Sequence, residues 1–374
     1  MHGFGEHMAN RFVHVDAMRG LAILCMVQVH TAALMPAPVS IDHPIALFSA
    51  SIGGMAAPMF VLISGWALQR GLDRRRAMGE SVLRWSLTRG GFLIGLQFLL
   101  GLLLPQRFDI SSPGILTLLG ICTLIFPLYY VRDAMSIRMG IDPRISRTLR
   151  AIFVAIFAWL IYTTWTNLQP GPTWTDMIHV KSILDWFVKA GISGTYPLLP
   201  WATYFIIGSI LDEKPLEGTA KQKQLRNTGL IAFGSLSITA IISAMTEVSW
   251  AVTMGEGVLT FFPANPWFVL VSCSMSVFIW DLFRCINSPK WVNSVLAPSG
   301  RLSLTIYMLH FALLGVIEPY LPDSGLEVAF LMTVVHMTLW SILAHIQQKQ
   351  IPELSIEHLL RKFSNLDSRQ NENE

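Results

Sequence analysis

Charge is scarce in this chain. Asp, Glu, Lys and Arg make up 14% of its 374 residues, while 52% are hydrophobic. Water-soluble domains carry about 25% charged residues, so an ordinary soluble fold is excluded. Cysteine is scarce as well. Cys25, Cys122, Cys273 and Cys285 each fall in or at the end of an apolar run, which argues against the disulfide framework of small secreted domains. No Walker loop, zinc-ligand spacing or dinucleotide fingerprint occurs, so no metal site and no nucleic-acid partner is expected. The opening "MHGFGEHMANRF" lacks the basic region, short apolar run and cleavage site of a removable leader. The first apolar run is therefore expected to serve as the insertion signal. The short alternating segments of a membrane β-barrel are missing too.

What remains is a series of long apolar blocks, near 17–36, 46–69, 83–104, 113–131, 148–166, 196–212, 226–246, 267–287, 299–320 and 327–347. A helix needs about 20 such residues to cross a bilayer. The expected fold is all-α: a polytopic membrane protein of about ten transmembrane helices. Gly53, Gly54 and Pro58 in the second block are compatible with a span, because neighbouring helices satisfy the freed backbone groups. Of the 27 Lys and Arg residues, only Arg107, Lys181 and Lys189 fall outside the termini and the alternate connections that face the same side. The positive-inside bias predicts that both termini are cytoplasmic and supports an even number of spans. A single transmembrane domain over 1–348 is expected. The tail 349–374 is cytoplasmic, with a disordered polar end. Integral plasma-membrane localisation, contact with membrane lipids and room for a homodimer complete this reading. On the outer side one long connection, about 167–195, contains "SILDWFVKA", either an interfacial helix or a plain loop.

Ionisable groups inside spans are costly, by about 2.5–3.5 kcal/mol each at the bilayer centre on insertion scales. In the first block, "VDAMRGLAILCMVQVH", Asp16, Arg19, Ile23, Met26 and His30 recur every three or four residues and share a helix face. His30 lies about 16 Å along the helix from Arg19, past the midplane if Arg19 marks the cytoplasmic headgroups. An imidazole there exchanges a proton near neutral pH and suits a general base; the alternative is a neutral interhelical hydrogen bond. His310 in "SGRLSLTIYMLH" and His336 in "TVVHMTLW" are two more intramembrane imidazoles with the same alternatives. His43 stands in an outer loop. Arg70, Arg84 and Arg89 belong to an arginine-dense second connection. Its guanidinium groups either signal topology or bind phosphates. Tyr196, Trp201 and Tyr204 in "YPLLPWATYF" form either an interfacial belt or a sugar-stacking surface.

The ordered set "VDAMRGLAILCMVQVH", "AAPMFVLISGWALQRG", "SSPGILTLLGICTL", "YPLLPWATYFIIGSIL" and "SGRLSLTIYMLH" resembles the transmembrane acyltransferases. In particular it resembles the catalytic domain of heparan-α-glucosaminide N-acetyltransferase and its prokaryotic relatives. The last segment and the Arg19–His30 spacing are also similar to the membrane sugar O-acyltransferases. The resemblance covers about 12–320. It implies an acyltransferase whose base is a histidine, His30 by the prokaryotic pattern or His43 by the lysosomal one. The co-substrate is acyl-CoA, most simply acetyl-CoA, held from the cytoplasm with its phosphates near Arg19, Arg70, Arg84 or Arg89. A sugar or glycan acceptor arrives from the outer side near Asp16, Tyr196, Trp201 and His310, and His310 or Ser303 steadies the oxyanion. An acyl-histidine intermediate is the alternative chemistry. Two other classes stay open: a transporter or flippase that uses the histidines as a proton relay, and a non-catalytic membrane scaffold.

Overall fold

In a bilayer the backbone finds no water, and a long apolar segment satisfies its amides and carbonyls by closing them on itself as a helix. The computed structural model, which describes residues 12–34, 44–104, 108–166, 173–285, 291–318 and 325–364, is built on that solution. In chain order come α1 (Val13–Leu34), α2 (Pro44–Ala77), α3 (Val82–Leu103), α4 (Ile115–Arg138) and α5 (Pro143–Thr166). Two short helices, α6 (Trp174–Ile178) and α7 (Ile183–Val188), precede α8 (Leu198–Gly208) and α9 (Gly218–Thr246). The strands β1 (Ala251–Met254) and β2 (Leu259–Phe262) then pair in parallel, Ala251 opposite Leu259. The chain closes with α10 (Pro266–Cys285), α11 (Ala297–Arg301), α12 (Ser303–Ile317), α13 (Leu326–Gln350) and α14 (Ile356–Ser364).

Seven of the described helices, α1 to α4, α9, α10 and α13, are long and apolar enough to cross a membrane. The bent pair α11–α12 makes an eighth if it is one span. The blocks expected at 148–166 and 196–212 are helical, as α5 and α8, but α8 has only 11 residues, short of the about 20 a full crossing needs. The described helices thus support seven to eight crossings where the blocks suggest about ten. The block at 299–320 also differs from its expectation. It is no straight span but turns by 85° between α11 and α12. The pivot is Leu302, whose φ of −107° and ψ of 20° lie outside the helical region. An unbroken apolar run gives no sign of such a turn.

α1 is the hub, packed by α2, α10, α11, α12 and α13. Its closest neighbour is α11, and glycine makes the approach possible. A Cβ on Gly300 would lie 1.8 Å from the Asp16 carbonyl oxygen, and one on Gly20 would lie 1.9 Å from that of Leu296. A second reciprocal crossing locks α2 to α8: a Cβ on Gly65 would meet the Phe205 carbonyl at 2.0 Å, and one on Gly208 the Leu62 carbonyl at 1.9 Å. Small residues let membrane helices pack by backbone contact where lipid offers no hydrophobic drive. The first crossing holds α1 and α11 in fixed register, and that register positions the site.

A candidate histidine site in the helix bundle

Where α12 returns along α1, two imidazoles meet. His30 Nδ1 lies 2.9 Å from His310 Nε2, with the rings 9° from parallel and their centroids 5.2 Å apart. Phe311 packs on both, at 4.4 Å from His30 and 4.3 Å from His310. The tautomers follow from the partners. His310 Nδ1 is 2.9 Å from the Ile306 carbonyl oxygen. A carbonyl only accepts, so His310 donates through Nδ1–H, and in the neutral ring its Nε2 carries a lone pair. That lone pair accepts from His30 Nδ1–H. The basic lone pair of His30 is therefore on Nε2. His310 is wholly buried, whereas His30 is half-buried.

His336 is arranged otherwise. Trp340 Nε1–H donates to its Nε2 at 2.7 Å, and an indole nitrogen can only donate. The Nδ1–H of His336 then bonds to the Thr31 hydroxyl at 2.8 Å, and that hydroxyl donates onward to the Val27 carbonyl at 2.6 Å. Both nitrogens are spent on core groups. Thr31 follows His30 in sequence, so about 100° of helical rotation separates the two histidine systems on α1.

At the arginine-rich end of the bundle, buried Asp16 receives Arg301 Nε–H at 3.2 Å. This bond, beside the Gly300 contact, ties α1 to α11 rather than leaving Asp16 to a substrate at His30. Arg89 sits over the Trp85 ring at 5.7 Å and Arg75 over the same ring at 4.1 Å. Arg19 and Arg89, two of the four arginines of the expected phosphate set, are near enough to interact electrostatically, and Arg75, which was not in that set, joins them. Arg70 is elsewhere. It pairs with Glu213, lies 4.8 Å over Phe12, and lines a polar cleft of about 780 Å³ together with Arg138, Arg144, Lys214, Asp142 and Asp212. Arg84 is exposed at the start of α3, outside that cleft. The sequence reading did not pick out Arg138, Arg144 or Lys214 as site residues. The only signal was their clustering in connections on the same side.

On the other side an aromatic chain leads away from the histidines. Phe311 meets Phe108 at 6.2 Å, Phe108 meets Trp174 at 6.2 Å, Trp174 meets Phe262 at 5.4 Å, and Phe262 meets Tyr196 at 5.7 Å. Tyr196 is part of this wall. Trp201 is fully buried among Tyr196, Tyr204, Phe261 and Phe268, so its faces are used in packing. His43 lies outside the described residues. The long connection contains α7 with Ile183, Leu184 and Phe187 exposed, as in a helix lying at an interface. The connection is tied down through Asp109, whose carboxylate accepts from the Val180 amide at 3.3 Å. Desolvation pushes this carboxyl up, but hydrogen bonds from the Val180 and Ser111 amides and the charge of His179 outweigh it, leaving it below the usual carboxylate range.

The start of α12 has a partner that sequence reasoning missed. Glu357, in α14, accepts from the Leu304 amide at 2.6 Å, the Thr305 amide at 3.2 Å and the Thr305 hydroxyl at 2.6 Å. These are the amides a bent helix leaves without intrahelical partners, and a carboxylate at an N-terminus suits the helix dipole. α14 also reaches α3, where Phe363 and Phe92 are 5.8 Å apart. The tail thus braces the helix that carries His310.

A family model described as an acyltransferase domain matches residues 12–346, a range that takes in α1 and α12, and with them His30 and His310. No curated protein matches the chain.

Proposed function

The chain belongs to the membrane acyltransferase family of that model, and we propose that within it the protein moves an acyl group, most simply acetyl, from cytoplasmic acyl-CoA to a hydroxyl or amine of a sugar or glycan on the outer side. Its sequence motifs favour the heparan-α-glucosaminide N-acetyltransferase-like branch, its charge distribution favours cytoplasmic termini, and an acceptor outside the cell favours a plasma-membrane location. The observation that carries the reading is the hydrogen-bond relay Ile306 carbonyl–His310–His30.

A general base needs a defined lone pair and a partner that steadies the imidazolium it becomes. The relay supplies both. With Nδ1–H held by His310, His30 takes the acceptor's proton on Nε2 as the acceptor oxygen or nitrogen attacks the thioester carbonyl. The tetrahedral intermediate collapses, the carbon–sulfur bond breaks, and the proton on Nε2 passes to the leaving thiolate. His310 is a positioning residue here, and Phe311 fixes the plane of both rings. The anionic end of the donor is held at the basic end of the bundle. Arg89 and Arg75 around Trp85, with Arg19 nearby, are the group we assign to it, because Arg19 stands on the helix that carries His30; Arg75 also pairs with Glu80. The acceptor approaches along the aromatic wall from Tyr196 and Trp174.

Purified protein given acetyl-CoA and an amino-sugar or glycan acceptor is expected to release CoA and form the acetylated product. His30→Ala should abolish this while retaining expression, whereas full activity in that variant would remove His30 from the mechanism. Proton-coupled uptake of a sugar by proteoliposomes without acyl-CoA binding would instead support the transporter reading.

A further inference from the structure

A groove of about 410 Å³ opens on the flank of the bundle between α5, α8, α9 and α10, away from the histidine pair. Its α5 side runs from Thr148 to Trp159, about 16 Å along the helix axis. Ala151 and Ala158 are buried on α5, while Ile152, Trp159, Ile231 and Leu270 stand about half exposed at the rim. Among the described residues, none that is charged lines it. The hydroxyls of Thr148, Thr228 and Ser274 in the lining already donate to backbone carbonyls, and the dimensions suit one hydrocarbon chain: about half of a 30 Å bilayer core in length, and near the lower end of ligand-pocket volumes, about 300–1,000 Å³.

One polar atom is out of keeping with this lining. Thr203, on α8, is 5% exposed and lines the groove, yet its hydroxyl has no hydrogen-bond partner among the described residues. A helical threonine ordinarily bonds the carbonyl four residues back, as buried Thr31, Thr123 and Thr333 do with Val27, Leu119 and Ala329. For Thr203 that residue is Leu199, whose φ of −101° and ψ of 119° break the helical path. A buried hydroxyl without a partner is unfavourable, and a ligand carbonyl relieves it.

We infer that the groove is a binding site for one acyl chain of a membrane phospholipid, with the ester carbonyl accepting from the Thr203 hydroxyl. The lipid is held by the apolar floor and recognised by that single polar contact. The site is independent of the acyl-transfer chemistry at His30.

The test uses the full-length protein in nanodiscs doped with a phospholipid that carries a photoreactive diazirine in one acyl chain. After irradiation, adducts are located residue by residue by mass spectrometry. Adducts should concentrate on Ala155, Thr203 and Cys273, above the level on Phe153 and Phe157, which stand exposed on α5. Ala155→Trp should remove the groove adducts and leave those on Phe153 and Phe157. Thr203→Val, which keeps the shape, should retain the lipid about fivefold less well in native mass spectrometry. Uniform labelling of every lipid-facing residue in the wild type means ordinary annular lipid and overturns the site, whatever the variants do. Unchanged retention in Thr203→Val overturns the role of the hydroxyl.

Discussion

The two histidine systems on α1 occupy neighbouring residues and use the same chemical group, yet their wiring differs. His336 spends both nitrogens on Trp340 and Thr31, and Thr31 passes its own proton to a backbone carbonyl. This is a closed polar network, and its physical work is to hold α13 against α1. The other system runs one way: Ile306 sets His310, His310 sets His30, and His30 is the most exposed of the three rings. Burial alone does not separate the base we propose from the histidine we read as structural. The direction of the hydrogen bonds is what distinguishes them.

That contrast can be broken most forcefully at His30. His30→Ala should lower turnover by about 10²–10⁴-fold, the range of a lost general base, with expression retained. Equal losses in His30→Ala and His336→Ala would erase the distinction. Next, His310→Phe removes the acceptor of His30 Nδ1–H but keeps a flat ring. It should cut kcat more than KM and shift the pH–rate profile, whereas a purely structural role would lower only the amount of folded protein. For the closed network, His336→Leu strands Trp340 Nε1–H and should cost about 1–3 kcal/mol of stability, read as a lower Tm, with kcat little changed.

The frame that holds both systems gives smaller effects. Glu357→Ala uncaps α12 and should cost about 1 kcal/mol while weakening turnover through His310, and Glu357→Gln should recover part of both. The smallest effect expected is at the long connection before α8. The Asp109 carboxyl titrates below its ordinary value in the folded chain, so its anchoring is complete above the normal carboxylate range and fades as pH falls through its depressed value. Proteolytic nicking of the 173–195 region should rise in acid, and Asp109→Asn should show that susceptibility at neutral pH.

Much of this was legible in the sequence. Apolar blocks flanked by arginine gave the helices because a bilayer leaves the backbone no other local solution, and a three-to-four-residue spacing put Asp16, Arg19 and His30 on one face. Both partners in the relay were also visible as polar residues in apolar spans. Their pairing was not, since His30 and His310 lie 280 residues apart and periodicity carries no long-range information. The bend at Leu302 was hidden inside an unbroken apolar run, and the groups that contact it are distant in sequence: Asp16, which meets Gly300, and Glu357 in the tail. Trp201 looked like a surface aromatic because hydropathy cannot tell a belt residue from one walled in by Tyr196, Tyr204, Phe261 and Phe268. The sorting of the arginines into two groups likewise depends on which helix ends meet.

The central claim is that His30, and not the neighbouring closed histidine network, performs the chemistry. It is tested most directly in cells that lack the gene, complemented with wild type, His30→Ala or His336→Leu at matched membrane expression, with their surface glycans weighed by mass spectrometry. The account predicts that an acetyl-sized increment returns with wild type and with His336→Leu and is missing with His30→Ala. An increment restored by His30→Ala would contradict it.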